Sequence, residues 1–217
     1  MANGICMRNI RKNRNIHLCL VILLGVVSGY VFKYFDDTMT YPDFNLLSDK
    51  LIYTFELDRV FSELTVFLVI GTMLAIYAST PKRAGMNNLL YFLSLNLGYY
   101  GYMQWHWGFV LWGFVASWVF MSLLTYPLGY MVWFGRGDYS ISKVVQFVLL
   151  TLFCVFGFAY GDFALTGKGL FMSCVFLGYL GLLKPNWKVL VLSLLVASIF
   201  CFLIGWNQQV NLNPYNL

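Results

Sequence analysis

Long apolar runs separated by short polar clusters organise this chain. Read in order, they fall at about 16–35, 60–78, 81–103, 108–134, 143–161, 170–183 and 187–206. Most approach the roughly 20 residues that a helix needs to cross a bilayer. No central part of a run carries an Asp, Glu, Lys or Arg. The pattern predicts an all-α, polytopic transmembrane helical bundle of seven spans, forming one integral membrane domain over residues 1–217. The run at 170–183 is shorter than a full crossing, so six spans plus a re-entrant segment is the alternative.

Local signals sharpen several boundaries. Thr80 and Pro81 open the third span, because Thr caps a helix well and Pro at the first helical position gives up an N–H that has no partner there anyway. Trp105 and Trp107 flank His106 in the predicted turn before the fourth span, and indole rings favour the membrane–water interface. Pro127 lies in the last third of the fourth span. It predicts a kink and a freed carbonyl about a turn earlier, which Ser122 and Thr125 could satisfy. Residues 36–59 read as an external polar loop, with Leu47, Leu51 and Phe55 spaced for a short amphipathic helix.

Composition agrees with lipid as the solvent. The chain is 60% hydrophobic and 11% charged, whereas a soluble domain carries about 25% charged residues. Basic residues set the orientation. With the N-terminus inside, Arg8, Arg11, Lys12, Arg14, Lys82, Arg83, Arg136, Lys143, Lys184 and Lys188 are cytoplasmic, against Lys33, Lys50, Arg59 and Lys168 outside. This predicts N-in, C-out insertion in the plasma (inner) membrane. It also explains the net charge of +5 without a nucleic-acid partner. The first span imitates a signal peptide, but it has no A-x-A-like cleavage site and further spans follow, so a retained anchor is expected.

Small and polar residues mark packing faces. Gly25/Gly29 and Gly157/Gly161 form two G-x-x-x-G pairs, which admit a close helix neighbour and offer faces for a homo-oligomer or a membrane partner. Asn87, Ser94, Gly98 and Gly101 share one face of the third span and predict a polar seam. The five cysteines are odd in number and lack a C-x-x-C, so neither a disulfide framework nor a metal site is expected. No cofactor motif is present.

Three stretches together resemble a family of small, uncharacterised polytopic bacterial membrane proteins, described only as a domain of unknown function. They are S-T-P-K-R-A-G-M-N-N over 79–88, G-Y-Y over 98–100, and P-L-G-Y from Pro127 with W-F-G-R-G from Trp133. The likeness extends from the first span through the fifth, although the acidic loop at 36–59 is longer than in that family. It implies a helical membrane fold and assigns no activity.

Chemistry has few candidates. Glu63, His106 and Asp162 sit near predicted external ends and could converge on one vestibule with Tyr100, Trp105 and Trp107, binding a cation or a flat organic ring. No hydrolase, zincin or phosphate-loop pattern occurs. Cys19 and His17 are two residues apart and do not share a helix face. The function classes left are a small-molecule permease or transporter subunit, a non-catalytic interaction protein (immunity, assembly or regulatory factor), and, more remotely, an enzyme acting on lipid or isoprenoid.

Overall fold

A computed structural model describes residues 14–40, 50, 64–137, 141–158 and 167–211, with side chains placed over most of them. Among these, seven α-helices follow one another and no strand occurs: α1 (Arg14–Thr40), α2 (Leu64–Ile76), α3 (Pro81–Trp107), α4 (Trp112–Val132), α5 (Ser142–Phe158), α6 (Gly167–Leu183) and α7 (Trp187–Asn211). A 3-10 turn, Trp133–Gly135, follows α4. Glu63, Asp162, Gly161, the surroundings of Gly157 and most of the 36–59 loop, with its amphipathic segment, lie outside the described residues.

Several boundaries differ from the sequence reading. Helix α1 runs on through Asp36 and Asp37 to Thr40, because no Gly or Pro interrupts it before Pro42. Helix α3 absorbs Trp105, His106 and Trp107, which the sequence reading placed in a turn. Its stop is Gly108, in the left-handed region at φ 72°, whose N–H donates to the Gln104 carbonyl. The other end of α3 matches expectation. Thr80 is extended, its side-chain oxygen accepts from the Arg83 N–H, and Pro81 opens the helix. Helix α4 passes through Pro127 to Val132 as one element.

Two helical stretches are long and apolar enough to cross a membrane, His17–Thr38 and Trp112–Gly135. Thr65–Ile76, Ser142–Phe156, Gly169–Leu183 and Trp187–Phe202 are shorter apolar helices. The 27 residues of α3 exceed a bilayer in length, but its asparagines and tyrosines dilute its apolarity.

The chain divides into two compact units, 1–34 with 74–133 and 35–73 with 134–217. In the first unit α1 and α3 run parallel. Gly25 meets Ser94 and the Tyr91 carbonyl, Gly29 meets the Leu95 carbonyl, and Gly98 meets the Val26 carbonyl. Helix α4 runs antiparallel to α3. A Cβ on Gly85 would lie 2.7 Å from the Tyr126 carbonyl oxygen, and one on Gly129 would lie 2.9 Å from the Ala84 carbonyl oxygen.

In the second unit α5 is central. Its buried residues, Ser142, Val145, Gln146, Leu149, Leu150, Phe153 and Cys154, recur at the three-and-four spacing of one broad helix face. Helix α6 lies antiparallel to α5: Gln146 bonds to the Leu183 carbonyl at one end, and Phe153 meets Phe176 at 5.2 Å further along. Helix α7 lies parallel to α5, with Ser193 at Phe147 and Cys201 near Cys154.

On α4 and α7 the buried positions are small or polar. Helix α4 buries Ser122 and Gly129 while Phe114, Phe120, Leu123 and Leu128 face outward. Helix α7 buries Ser193 and Ala197 and exposes Leu192, Leu195, Ile199 and Phe202. On these two helices small and polar residues are the buried ones, as happens where the surrounding solvent is already apolar.

Replacing Gly98 by Ala puts a methyl against the Val26 backbone, which cannot yield as a flexible side chain would. The expected cost is about 2–3 kcal/mol, read as a clear fall in melting temperature in detergent. Gly101→Ala, at a position with nothing within 4 Å, should leave melting unchanged or raise it slightly.

Candidate functional site

The polar interior is the strongest site-like feature, and it is uncharged. Among the described residues the buried polar side chains are Thr65, Thr72, Asn88, Ser94, Asn96, Ser122, Ser142, Gln146 and Ser193. In the first unit, Asn96 Nδ2 donates to Ser122 Oγ at 2.8 Å across α3 and α4. Ser122 in turn donates to the Trp118 carbonyl at 2.9 Å. Asn88 Nδ2 donates to the Ala84 carbonyl at 3.0 Å, beside the gap left by Gly129. Ser94 donates to the Tyr91 carbonyl at 2.9 Å, under Gly25.

Only half of this set follows from helical spacing along α3. Ser94 and Gly98 are buried as expected, but Asn87 is half-exposed and Gly101 is open. Asn88 and Asn96 are the buried asparagines. One seam was expected, whereas α3 has two: a face against α1 through Tyr91, Ser94 and Gly98, and a face against α4 through Gly85, Asn88 and Asn96. Nor do the hydroxyls near Pro127 serve the carbonyl one turn before it. Thr125 donates to the Ser122 carbonyl at 2.6 Å and Ser122 donates to that of Trp118.

The second unit has its own polar node. Gln146 Nε2 donates to the Gly135 carbonyl at 2.8 Å and to the Leu183 carbonyl at 3.1 Å. Ser142 donates to the same Gly135 oxygen at 3.2 Å. One amide therefore ties the turn after α4, the start of α5 and the end of α6. Deeper in the unit, Thr72 and Tyr179 share a buried hydrogen bond of 3.0 Å between α2 and α6. The Tyr179 ring stacks on Phe153 at 5.1 Å. A lone Gln, Thr or Asn in an apolar run does not disclose which helix it faces, so these pairs were not legible beforehand.

The proposed vestibule residues are placed in part. His106 stacks on Tyr102 at 5.3 Å and meets Trp107 edge-on at 6.0 Å. Tyr102 packs against Tyr30 at 4.8 Å. Tyr100 pairs with Tyr99 at 5.3 Å, and Lys33 lies 5.5 Å over the Tyr99 ring. Trp105, 91% exposed, projects away from these contacts. The structure thus joins His106 to Tyr102 and Trp107. Glu63 and Asp162 fall outside the described residues. Cys19, Cys154, Cys174 and Cys201 are free, and no group of three or more His, Cys, Asp or Glu gathers to hold a metal among the described residues.

No family model, curated protein or solved structure matches the chain.

The node at Gln146 makes a direct prediction. Gln146→Leu keeps the bulk and removes both donated bonds, so it should lower the melting temperature by an amount equivalent to about 1–3 kcal/mol. For Thr72→Val and Tyr179→Phe, a double-mutant cycle should give a coupling of about 0.6 kcal/mol, the average for hydrogen bonds between membrane helices, and no more than about 1.7 kcal/mol.

Proposed function

We propose that this chain is a seven-span protein of the plasma (inner) membrane, N-terminus inside, that works as a non-catalytic interaction protein. The supporting observation is the interior of uncharged side chains whose bonds are mostly made within the chain. A proton-coupled carrier or a hydrolase needs an ionisable group where the work is done. Among the described residues the buried polar set contains none. The likeness to uncharacterised polytopic bacterial membrane proteins points to the same kind of molecule and adds no activity.

Helix directions support seven crossings over six plus a re-entrant segment. A re-entrant α6 would return the chain to the side it came from, and α7 would then run against α5. Instead α5 and α7 run parallel with α6 reversed between them in sequence, and Leu183 ends beside the start of α5. The 17 residues of α6 span about 26 Å, close to a hydrocarbon core of about 30 Å. The parallel run of α1 and α3 supports one return crossing between them in the same way.

Partner binding needs an open face. Gly25 and Gly29 do not supply one, because α3 fills their groove. Gly178 and Gly181 on α6 have nothing within 4 Å and lie on the exposed stripe of that helix with Ser173 and Cys174. A permease is the second reading, favoured by the hydroxyls of Thr65 and Thr151, buried without a hydrogen-bond partner. Such groups suit a polar solute or a water in transit.

In a cysteine-free background, an impermeant maleimide added to intact cells should label Phe109→Cys and spare Asn186→Cys until the membrane is opened. Labelling of Asn186→Cys from outside would replace seven spans with six. Extraction in mild detergent should bring down a stoichiometric membrane partner. A clean monomer whose melting temperature rises with one metabolite of a panel would favour the permease instead.

A further inference from the structure

We propose that the end of the second unit formed around Gln146 binds the phosphate headgroup of an anionic phospholipid, through Lys143, Lys184 and Lys188 with Trp187 as the depth anchor. This inference rests on the bilayer reading above and names a lipid partner that the reading does not require.

The three lysines come together through bonds already described. Lys143 is in the first turn of α5, one turn before Gln146. Lys184 follows Leu183, whose carbonyl Gln146 holds at 3.1 Å. Lys188 is in the first turn of α7, after the tight link 184–186. Its N–H donates to Asn186 Oδ1 at 3.1 Å. All three lysines are exposed. Arg136 stands at the same end, one residue beyond Gly135, but it has a partner of its own, so the lysines carry the inference. The only acid in residues 134–161 and 183–217 is Asp138.

Two details go beyond ordinary positive charge at a cytoplasmic face. Lys184 has φ 47°, the left-handed region at a helix C-terminus that Gly or Asn normally occupies. The chain keeps a cationic side chain where backbone geometry favours glycine. Trp187 is 68% exposed, and the Lys188 ammonium lies 5.9 Å from its ring centroid. An exposed indole sits at headgroup depth, which holds its lysine neighbours level with lipid phosphates. Basic pockets between helix ends on the cytoplasmic side suit anionic headgroups.

The test is native mass spectrometry of the full chain in detergent, titrated separately with phosphatidylglycerol and phosphatidylcholine. Wild type should retain phosphatidylglycerol preferentially. Lys143→Gln/Lys184→Gln/Lys188→Gln should weaken that binding at least tenfold, since a basic residue at an anionic surface contributes about fivefold. A Lys82→Gln/Arg83→Gln control, altered at the start of α3, should keep the preference. Equal retention of both lipids by wild type overturns the inference. So does an equal loss in the control, which would mean diffuse charge alone, or full competition by millimolar inorganic phosphate, which would mean a bare-anion site. Alkaline extraction of wild type from phosphatidylcholine vesicles separates the two readings. Release from the vesicles removes the bilayer reading and this inference with it, while firm retention without lipid preference removes only this inference.

Discussion

Backbone touches backbone where α1 crosses α3, and the first unit depends on that contact. Gly25, Gly29 and Gly98 each face a carbonyl of the other helix at a separation that leaves no room for a Cβ. Contact this close rests on van der Waals packing and on hydrogen bonds between the helices, as in helix pairs whose surroundings are already apolar. Larger residues at these three positions would hold the helices apart. Ser94 and Tyr91 would then lose their setting.

The same constraint explains why hydrogen-bonded polar residues sit inside beside the buried apolar and aromatic ones. A backbone carbonyl at a helix end cannot reach water if it is buried, and an unpaired one is costly. Gln146 answers for two such carbonyls at once, at the end of the 3-10 turn and at the end of α6. Its amide stays neutral while making these bonds, which avoids the desolvation cost of a buried charge. Asn96 with Ser122 and Thr72 with Tyr179 work on the same terms between neighbouring helices. On the outward faces the Phe and Leu side chains have no hydrogen bond to satisfy.

An interior of this kind holds helices in fixed registers. Among the described residues its ionisable members are Tyr91, Tyr102, Cys154 and Tyr179, and no Asp, Glu, Lys, Arg or His is buried. His106 illustrates the point: it stacks on Tyr102 at the exposed end of α3. The cationic end around Gln146 and the aromatic end of α3 carry the exposed lysines, His106 and the exposed indole rings.

The seven helices were legible in the sequence because apolar runs, Pro81 behind Thr80 and the Lys-Pro break at 184–185 are local signals. They act on the backbone within a turn or two of where they are written. Helix ends without a breaker were misplaced for the same reason: nothing between Tyr30 and Thr40 says stop, and the Trp105–Trp107 stretch stays helical until a glycine ends it. Partner choice was not legible. Asn87 and Asn88 read alike in the sequence, and only the crossing of α4 over α3 buries the second and leaves the first half-exposed. The parallel run of α5 and α7, and the joining of three helix ends at Gln146, likewise arise between segments far apart in the chain. Periodicity tells which face of a helix is small or polar, but the identity of its neighbour is a property of the packed bundle alone.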